Sequence, residues 1–513
     1  MPADRKRVAI IGSGMAGLTA GAYLAREGHR VVVYEQFAQI GGVTATISQD
    51  GFSWDLGPLI LEGFGPDEIG GKILREMGVP DSRVRGLTTE PCDRGIIFPD
   101  FALWRPAEYQ GPLWRKDRLK TLFPEDARGL DRYYRLSQRM ERLAALGRRS
   151  ELRDGRASPV DRLRMLLDFL PVKRFASLSA AELMERTFES EKLRAVFIGI
   201  LADFVVSPSE FQGLGVPLVN PESAFDARIL ERGAPPGSLP VYRCIRGGCG
   251  SLVRAAHDSL VAAGGTVRTS ATITRITTEN GAATGVAVDG TTEPADLVIS
   301  TAGARETFYD LLGADQVSGE YRSAIDGQVQ MESVFMVHLG VDRPPAQPSA
   351  LGYYYRTVDF EKAVRDLRSG RYHDGEDGFL IYIPSRHSPE MAPPGCHAVT
   401  VYTVAPNQIE GADWDDRREQ FADHLVACAE KYVPGLAAAT RTRVIVTPAD
   451  FRRRVRQRHH AFGGIAPVMG RANPAYRSPV RNLWFIGSQS EGGGGVLGVM
   501  KGARAAVRAM REG

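Results

Sequence analysis

Residues 7–35 read RVAIIGSGMAGLTAGAYLAREGHRVVVYE, and the fold is decided here. Val8, Ile10 and Ile11 form a short apolar run suited to a buried strand, and Gly12, Gly14 and Gly17 follow at once in the spacing GxGxxG. Each glycine has its own task. Gly12 turns the chain sharply, Gly14 lets backbone N–H groups approach a pyrophosphate, and Gly17 lets the next helix pack closely on the strand. The phosphates then meet a helix N-terminus, where unpaired N–H groups and the helix dipole favour negative charge. Ala20, Ala22, Leu24 and Ala25 carry that helix, and Gly28 closes it. Residues 31–34 read as a second strand, and Glu35 at its end is placed to accept hydrogen bonds from ribose hydroxyls. An acid at that point disfavours a 2′-phosphate, so NADP is not expected. Strand, turn, helix, strand and acid in register are a far stronger signal than the glycine pattern alone.

A chain of 513 residues exceeds one ordinary domain and predicts two or more. With 43% hydrophobic and 24% charged residues, there is material for a large core. The net charge is only +3, from 64 basic and 61 acidic residues, so nucleic acid is not an expected partner. Cys92, Cys244, Cys249, Cys396 and Cys428 are scattered and odd in number, which suits a reducing cytoplasm better than a disulfide framework. Cys244 and Cys249 lack a second close pair, so no metal site is expected. Arg5, Lys6 and Arg7 before an apolar run resemble a signal peptide, yet the glycine fingerprint accounts for the same residues better. No run of eighteen uncharged apolar residues occurs, so no transmembrane helix is expected. The expected location is cytoplasmic.

Behind Glu35, the pairs Gly41-Gly42 and Gly57-Pro58 suggest backbone lying close to a ligand. From about residue 66 to 239 the apolar spacing turns helical, with a capping-box sequence at Ser179 and Glu182. Within it, residues 161–175 mix bulky apolar side chains with Arg and Lys. A core helix with one solvated face is the expected reading, and peripheral contact with a membrane is the alternative. Strand signals return near Tyr242, and residues 252–263 read as a helix closed by Gly264-Gly265. A strand near 266–276, a hairpin turn at Asn280-Gly281 and a buried strand at 295–302 complete this part. Gly248-Cys-Gly250 is a near miss for a second fingerprint, so a second dinucleotide domain is not expected. From 305 to 446 strands alternate with helices in a second sheet, where His338 reads as an interior residue. The basic run 452–460 reads as a solvated helix face or loop, with a phosphate or acidic partner as the lesser reading. The chain closes with an apolar strand, Asn482-Leu-Trp-Phe-Ile-Gly487, then four glycines, 492–495, before a last helix. Glycines wedged between a buried strand and a helix suit a second ligand-facing helix N-terminus.

These motifs together resemble the phytoene dehydrogenase-like family of flavin oxidoreductases: carotenoid desaturases, carotenoid isomerases and retinol saturases. The carriers are Gly12, Gly14, Gly17, Glu35, Gly41-Gly42, residues 55–58, residues 247–252, Gly264-Gly265 with Ile273 and Ile276, residues 482–487 and residues 493–496. The likeness spans nearly the whole chain and is loosest from 305 to 446. It implies an α/β architecture, with a Rossmann-like FAD-binding domain and an interleaved α+β substrate domain that contains the helical block. The expected division gives 1–65, 240–305 and 447–513 to FAD and 66–239 and 306–446 to substrate. The implied FAD contacts are Gly12, Gly14, Met15, Ala16, Gly17, Glu35, Gln36, Gly41, Gly42, Val43, Thr44, Gly57, Pro58, Ile273, Gly487, Ser488, Gly494, Gly495 and Val496. In this picture Ile273 offers backbone to adenine, and the helix N-terminus at Gly495 and Val496 faces the flavin's N1–C2=O edge. The chemistry implied is hydride transfer between the flavin N5 and an apolar isoprenoid or other lipid polyene, in an apolar tunnel.

Two departures bear on substrate. The closing loop reads Gln489-Ser-Glu491-Gly where bacterial phytoene desaturases usually carry Thr-His-Pro, and Ser488 stands at an often acidic position. Glu491 is thus a candidate proton acceptor, with a solvated loop carboxylate as the leading reading of the same residue. An amine-oxidase-like flavoenzyme is an alternative, although Val43 replaces the arginine usual after the Gly-Gly pair. A non-catalytic prenyl- or lipid-binding protein of the same fold is another, at odds with an intact fingerprint.

Overall fold

In the computed structural model, which describes residues 5–111, 113–232 and 239–512, the strand Arg7–Ile11 lies at the centre of a five-stranded parallel sheet. Across the sheet the order is Thr266–Arg268, Arg30–Tyr34, Arg7–Ile11, Leu297–Ser300 and Leu483–Phe485. Alternate side chains of the central strand serve opposite faces, as the strand period demands. Val8 and Ile10 join a core with the helices Met15–Arg26, Gly250–Ala262 and Val496–Glu512. Ala9 and Ile11 join a second core under the antiparallel meander Ile273–Glu279, Ala282–Val288 and Thr291–Pro294. The turn at Asn280 and Gly281 has positive φ at both residues (50° and 73°), the conformation that suits a tight hairpin. The fold is α/β, with the helices on one face of a doubly covered sheet.

A second, mixed sheet of seven strands stands beside the first. Its order is Thr440–Val446, Ser333–Val341, His397–Ala405, Gly378–Tyr382, Leu351–Tyr355, Arg94–Phe98 and Phe101–Leu103. Ser333–Val341 and Gly378–Tyr382 are all or nearly all buried, because both faces are covered. The helix Trp414–Glu430 contributes to the core on one face. The block containing Ala127–Leu152, Ala180–Glu185 and Glu191–Ile198 contributes to the other. The Ser179–Glu182 capping box is made as expected, each partner bonding the other's backbone N–H. His338 is buried, hydrogen-bonded through Nδ1 to Thr400 Oγ1 at 2.9 Å and held neutral by burial, its pKa pushed down to about 3.

One helix overturns its expected role. Pro159–Phe169 has no buried residue, so it is not a core helix. Sequence spacing shows an apolar stripe but not which neighbour, if any, covers it. The scattered cysteines also hide a contact: Cys92 and Cys244, 152 residues apart, bring their sulfurs to 3.1 Å inside the core. Among the described residues, no helix is long and apolar enough to cross a membrane.

Candidate functional site

A cavity of about 880 Å³ opens at the C-terminal ends of the parallel strands, where the sheet, the meander and the segment 452–463 meet. The helix Met15–Arg26 points its N-terminus into it. The N-cap residue is Gly14, with no side-chain cap, so the first-turn N–H groups of Met15 and Ala16 keep their bonding capacity for a ligand. A Cβ at Gly14 would meet nothing within 4 Å, and one at Gly42 would stand 3.7 Å from Gly14 Cα. Gly14 therefore borders open space, and Gly42 lies in van der Waals reach of it, so two turns bring bare backbone to one stretch of the cavity wall. Gly12 has φ 96°, and a Cβ there would strike Thr301 Oγ1, itself hydrogen-bonded to Ile11 O at 2.8 Å. Gly17 does not line the cavity. A Cβ on it would collide with Gly12 O, so its part is to let the helix lie on the strand.

Glu35 is held rigidly at the cavity wall. One carboxylate oxygen accepts Ser13 N–H at 3.0 Å and Ser13 Oγ–H at 2.7 Å, while the other accepts Phe37 N–H at 2.9 Å. Its main chain bonds Arg268 O and Ala271 N–H, which ties the acid to the strand that leads to Ile273. Ile273 lines the cavity with Ala271, Thr272 and Thr274. Gln36, Gly41, Gly42, Val43, Thr44, Gly57 and Pro58 line it too, as do Gly487, Ser488, Gly495 and Val496 from the closing segment. Gly494 does not. It packs against Gly463, where a Cβ would overlap the carbonyl oxygen, and so supports the loop from outside.

The candidate proton acceptor is not at the site. Glu491 is exposed, absent from the cavity wall, and accepts Tyr476 N–H at 2.7 Å; it is a loop carboxylate. The basic run departs from expectation in the opposite sense. Residues 452–458 line the cavity instead of forming a merely solvated face. Arg454 is buried, donating through Nε to Gly42 O at 2.7 Å and through Nη2 to Gln39 Oε1 at 3.3 Å, with its guanidinium 4.9 Å from the Phe37 ring centre. Burial lowers its pKa and the charge of Glu35 opposes that, so it remains a cation set against the Gly42 turn. Arg456 and Arg458 are exposed at the rim, where Arg458 pairs with Asp310 at 2.6 Å.

His460, the last residue of that run, is a further wall residue whose contacts its sequence position does not reveal. It is buried, stacks on Phe451 with ring centres 4.5 Å apart, and bonds Ser333 Oγ through Nδ1 at 2.8 Å. Its Nε2 has no partner among the described residues, and burial pushes its pKa down to about 3, so the ring is neutral. The turn Glu306–Leu311 supplies Glu306, Asp310 and Leu311. Only the basic run had a signal in the sequence; the rest enter through tertiary packing. The wall formed by 43–44, 57–58, 461–463, 495–496 and 499 carries no acid, lysine or arginine. The arrangement thus pairs a half that carries Glu35, a bare helix N-terminus and the arginines of 452–458 with an uncharged half.

The protein family described as flavin containing amine oxidoreductase matches residues 15–511. Among curated relatives, the mouse pyridine nucleotide-disulfide oxidoreductase domain-containing protein 2 is 25% identical over 95% of this chain and 90% of its own length. The phytoene desaturase (lycopene-forming) of Pseudescherichia vulneris is 26% identical over 99% of each. Prolycopene isomerase 1 of an Oncidium hybrid cultivar is 23% identical over 96% of this chain and 81% of its own. A solved oxidoreductase from Methanosarcina mazei superposes with TM-score 0.62 at 18% identity, covering 98% of this chain and 100% of that one.

Proposed function

The chain belongs to the flavin containing amine oxidoreductase family and binds FAD, and from that premise we propose that it desaturates, saturates or isomerises an apolar isoprenoid or other lipid polyene. Bound FAD supplies a hydride acceptor or donor at its N5. The protein's share is to bind, orient and exclude water. Met15 and Ala16 N–H groups beside Gly14 would hold the pyrophosphate, with Arg454 as the neighbouring cation, and Glu35 would accept from the ribose. Residues 271–274 take the adenine, and Gly57, Pro58, Gly487, Ser488, Gly495 and Val496 border the isoalloxazine. This reading assigns 1–65, 240–305 and 447–513 to FAD and 66–239 with 306–446 to substrate.

One observation supports the substrate class: the wall assigned to the isoalloxazine, Gly57, Pro58, Gly495 and Val496 with neighbouring Val43, Phe462 and Val499, sets no carboxylate or ammonium beside the flavin to recognise a charged substrate. Relatives named for carotene desaturation and prolycopene isomerisation support it. The test is an anaerobic screen of the flavin-loaded protein against carotenes, retinoids and simple amines, following flavin absorbance and product double bonds. Flavin bleaching, reoxidation or bond isomerisation with a polyene alone is the expected result. Bleaching by an amine alone moves the protein to amine oxidation. A chain that stays colourless with added FAD moves it to lipid binding without catalysis.

A further inference from the structure

Nine large apolar side chains are exposed among the described residues, and six of them, Val160, Leu163, Leu166, Leu167, Phe169 and Leu170, fall in a single segment of eleven residues. The helix Pro159–Phe169 that carries most of them is turned opposite to the usual amphipathic arrangement. Its inward side bears Asp161, Met165 and Asp168, and the segment is fastened by buried Val172 just beyond it. Both inward acids are paired: Asp161 with Arg153 at 3.3 Å, Asp168 with Arg142 at 2.9 Å. At about 100° per residue, Leu163 and Leu170 then lie opposite the inward side, with Leu166 and Leu167 beside them. Arg162 and Arg164, both exposed, flank this stripe on its two edges. Exposed Arg156 precedes it, and exposed Lys173 and Arg174 follow.

We infer that this helix is a docking element that lies in the interface of an anionic lipid bilayer. Leucines at the centre of the outer face, cations along its edges and acids turned away are the chemistry that such a surface selects. Charge decides among occupants. A second copy of the chain related by a two-fold axis would bring the same basic rim against itself, like charge facing like charge. A bilayer rich in anionic headgroups meets the rim with opposite charge and the leucines with acyl chain. The helix is already formed for this, with Ser158 Oγ capping it at Asp161 N–H (3.0 Å) and proline in its first turn. The inference stands independently of the substrate assigned to the cavity.

The experiment uses the full, flavin-loaded chain in co-sedimentation with phosphatidylcholine vesicles, with and without phosphatidylglycerol, at low salt. The wild type is expected to pellet with phosphatidylglycerol-containing vesicles. Leu163→Glu/Leu167→Glu and the milder Leu163→Ser/Leu167→Ser should both lower the bound fraction, the first by at least about tenfold. Leu218→Glu, at an exposed leucine elsewhere, should leave it unchanged. Flavin absorbance and melting temperature show that each variant is folded. A wild type that stays in the supernatant, binding that is equal without phosphatidylglycerol, or folded double variants that bind as wild type would overturn the inference. So would a wild-type dimer in analytical ultracentrifugation that binds no vesicle and that the double variants split, because the stripe would then be a contact between copies.

Discussion

At the scale of single residues, two glycines of one motif separate binding from folding. Gly14 has helix-compatible space around it and lies on the cavity, whereas Gly17 is pressed on a carbonyl oxygen. Gly14→Ala should therefore leave the melting temperature of the cofactor-free chain nearly unchanged while weakening FAD by about tenfold or more, because the methyl fills ligand space. Gly17→Ala should instead lower the melting temperature, as overpacking typically costs about 1–3 kcal/mol; differential scanning fluorimetry on cofactor-free protein checks both. Arg454 makes the third case. It is bonded to the Gly42 turn, so a cation from the far end of the chain serves that region. Arg454→Met should weaken FAD binding by about tenfold, the worth of one charge-assisted hydrogen bond, read by titration of flavin fluorescence.

At the scale of elements, the hairpin of Thr46–Gln49 and Phe52–Asp55 caps a helix nearly two hundred residues away. Asp55 accepts Cys249 N–H at 2.7 Å and Thr46 Oγ1–H at 2.6 Å, and Thr46 Oγ1 also accepts Gly250 N–H, which covers the start of Gly250–Ala262. Burial raises the pKa of Asp55 from 3.8 to about 6. The folded state therefore holds this proton more tightly than the unfolded chain. The resulting stability is complete below pH 3.8 and is lost as pH climbs through about 6, by up to about 3 kcal/mol at 1.36 kcal/mol per pKa unit. Asp55→Asn keeps the acceptor and removes the titration, so its melting temperature should be flatter than wild type across that window. A second expectation concerns the closing loop: with Glu491 exposed and its carboxylate bonded, among the described residues, to one backbone N–H, Glu491→Gln should keep turnover of the proposed polyene substrate within about twofold, since surface changes of this kind are nearly neutral.

Elements with a local cause were legible in the sequence. The glycine turn, the acid after the second strand and the Asn280-Gly281 hairpin need only their own neighbours to be read. The strand around His338 was legible as buried for the same reason. What could not be read is whatever depends on a distant partner: Arg454 on the Gly42 turn, His460 against Ser333, and the outward face of Pro159–Phe169, whose periodicity fits burial or exposure equally well.

For the molecule as a whole, the parallel sheet draws its strands from three separated parts of the chain, and its edge strand Leu483–Phe485 and the helix Val496–Glu512 come from the last of them. That helix packs on Met15–Arg26 in one core and ends the cavity wall at Val496 and Val499. Deleting residues 496–512 should accordingly leave a chain that retains no flavin after desalting and aggregates through the uncovered face.

The same layout has a consequence for how the protein is born. A ribosome adding about 5–20 residues per second needs on the order of half a minute to a minute and a half between the first strand and the last. For most of that interval the apolar underside of the first helix waits for its cover, and from its own synthesis until the last strand is made Leu297–Ser300 has no neighbour on one side. The nascent chain therefore has to remain shielded while most of its sheet is complete, and cofactor capture is a late, post-synthetic event rather than a nucleus for folding.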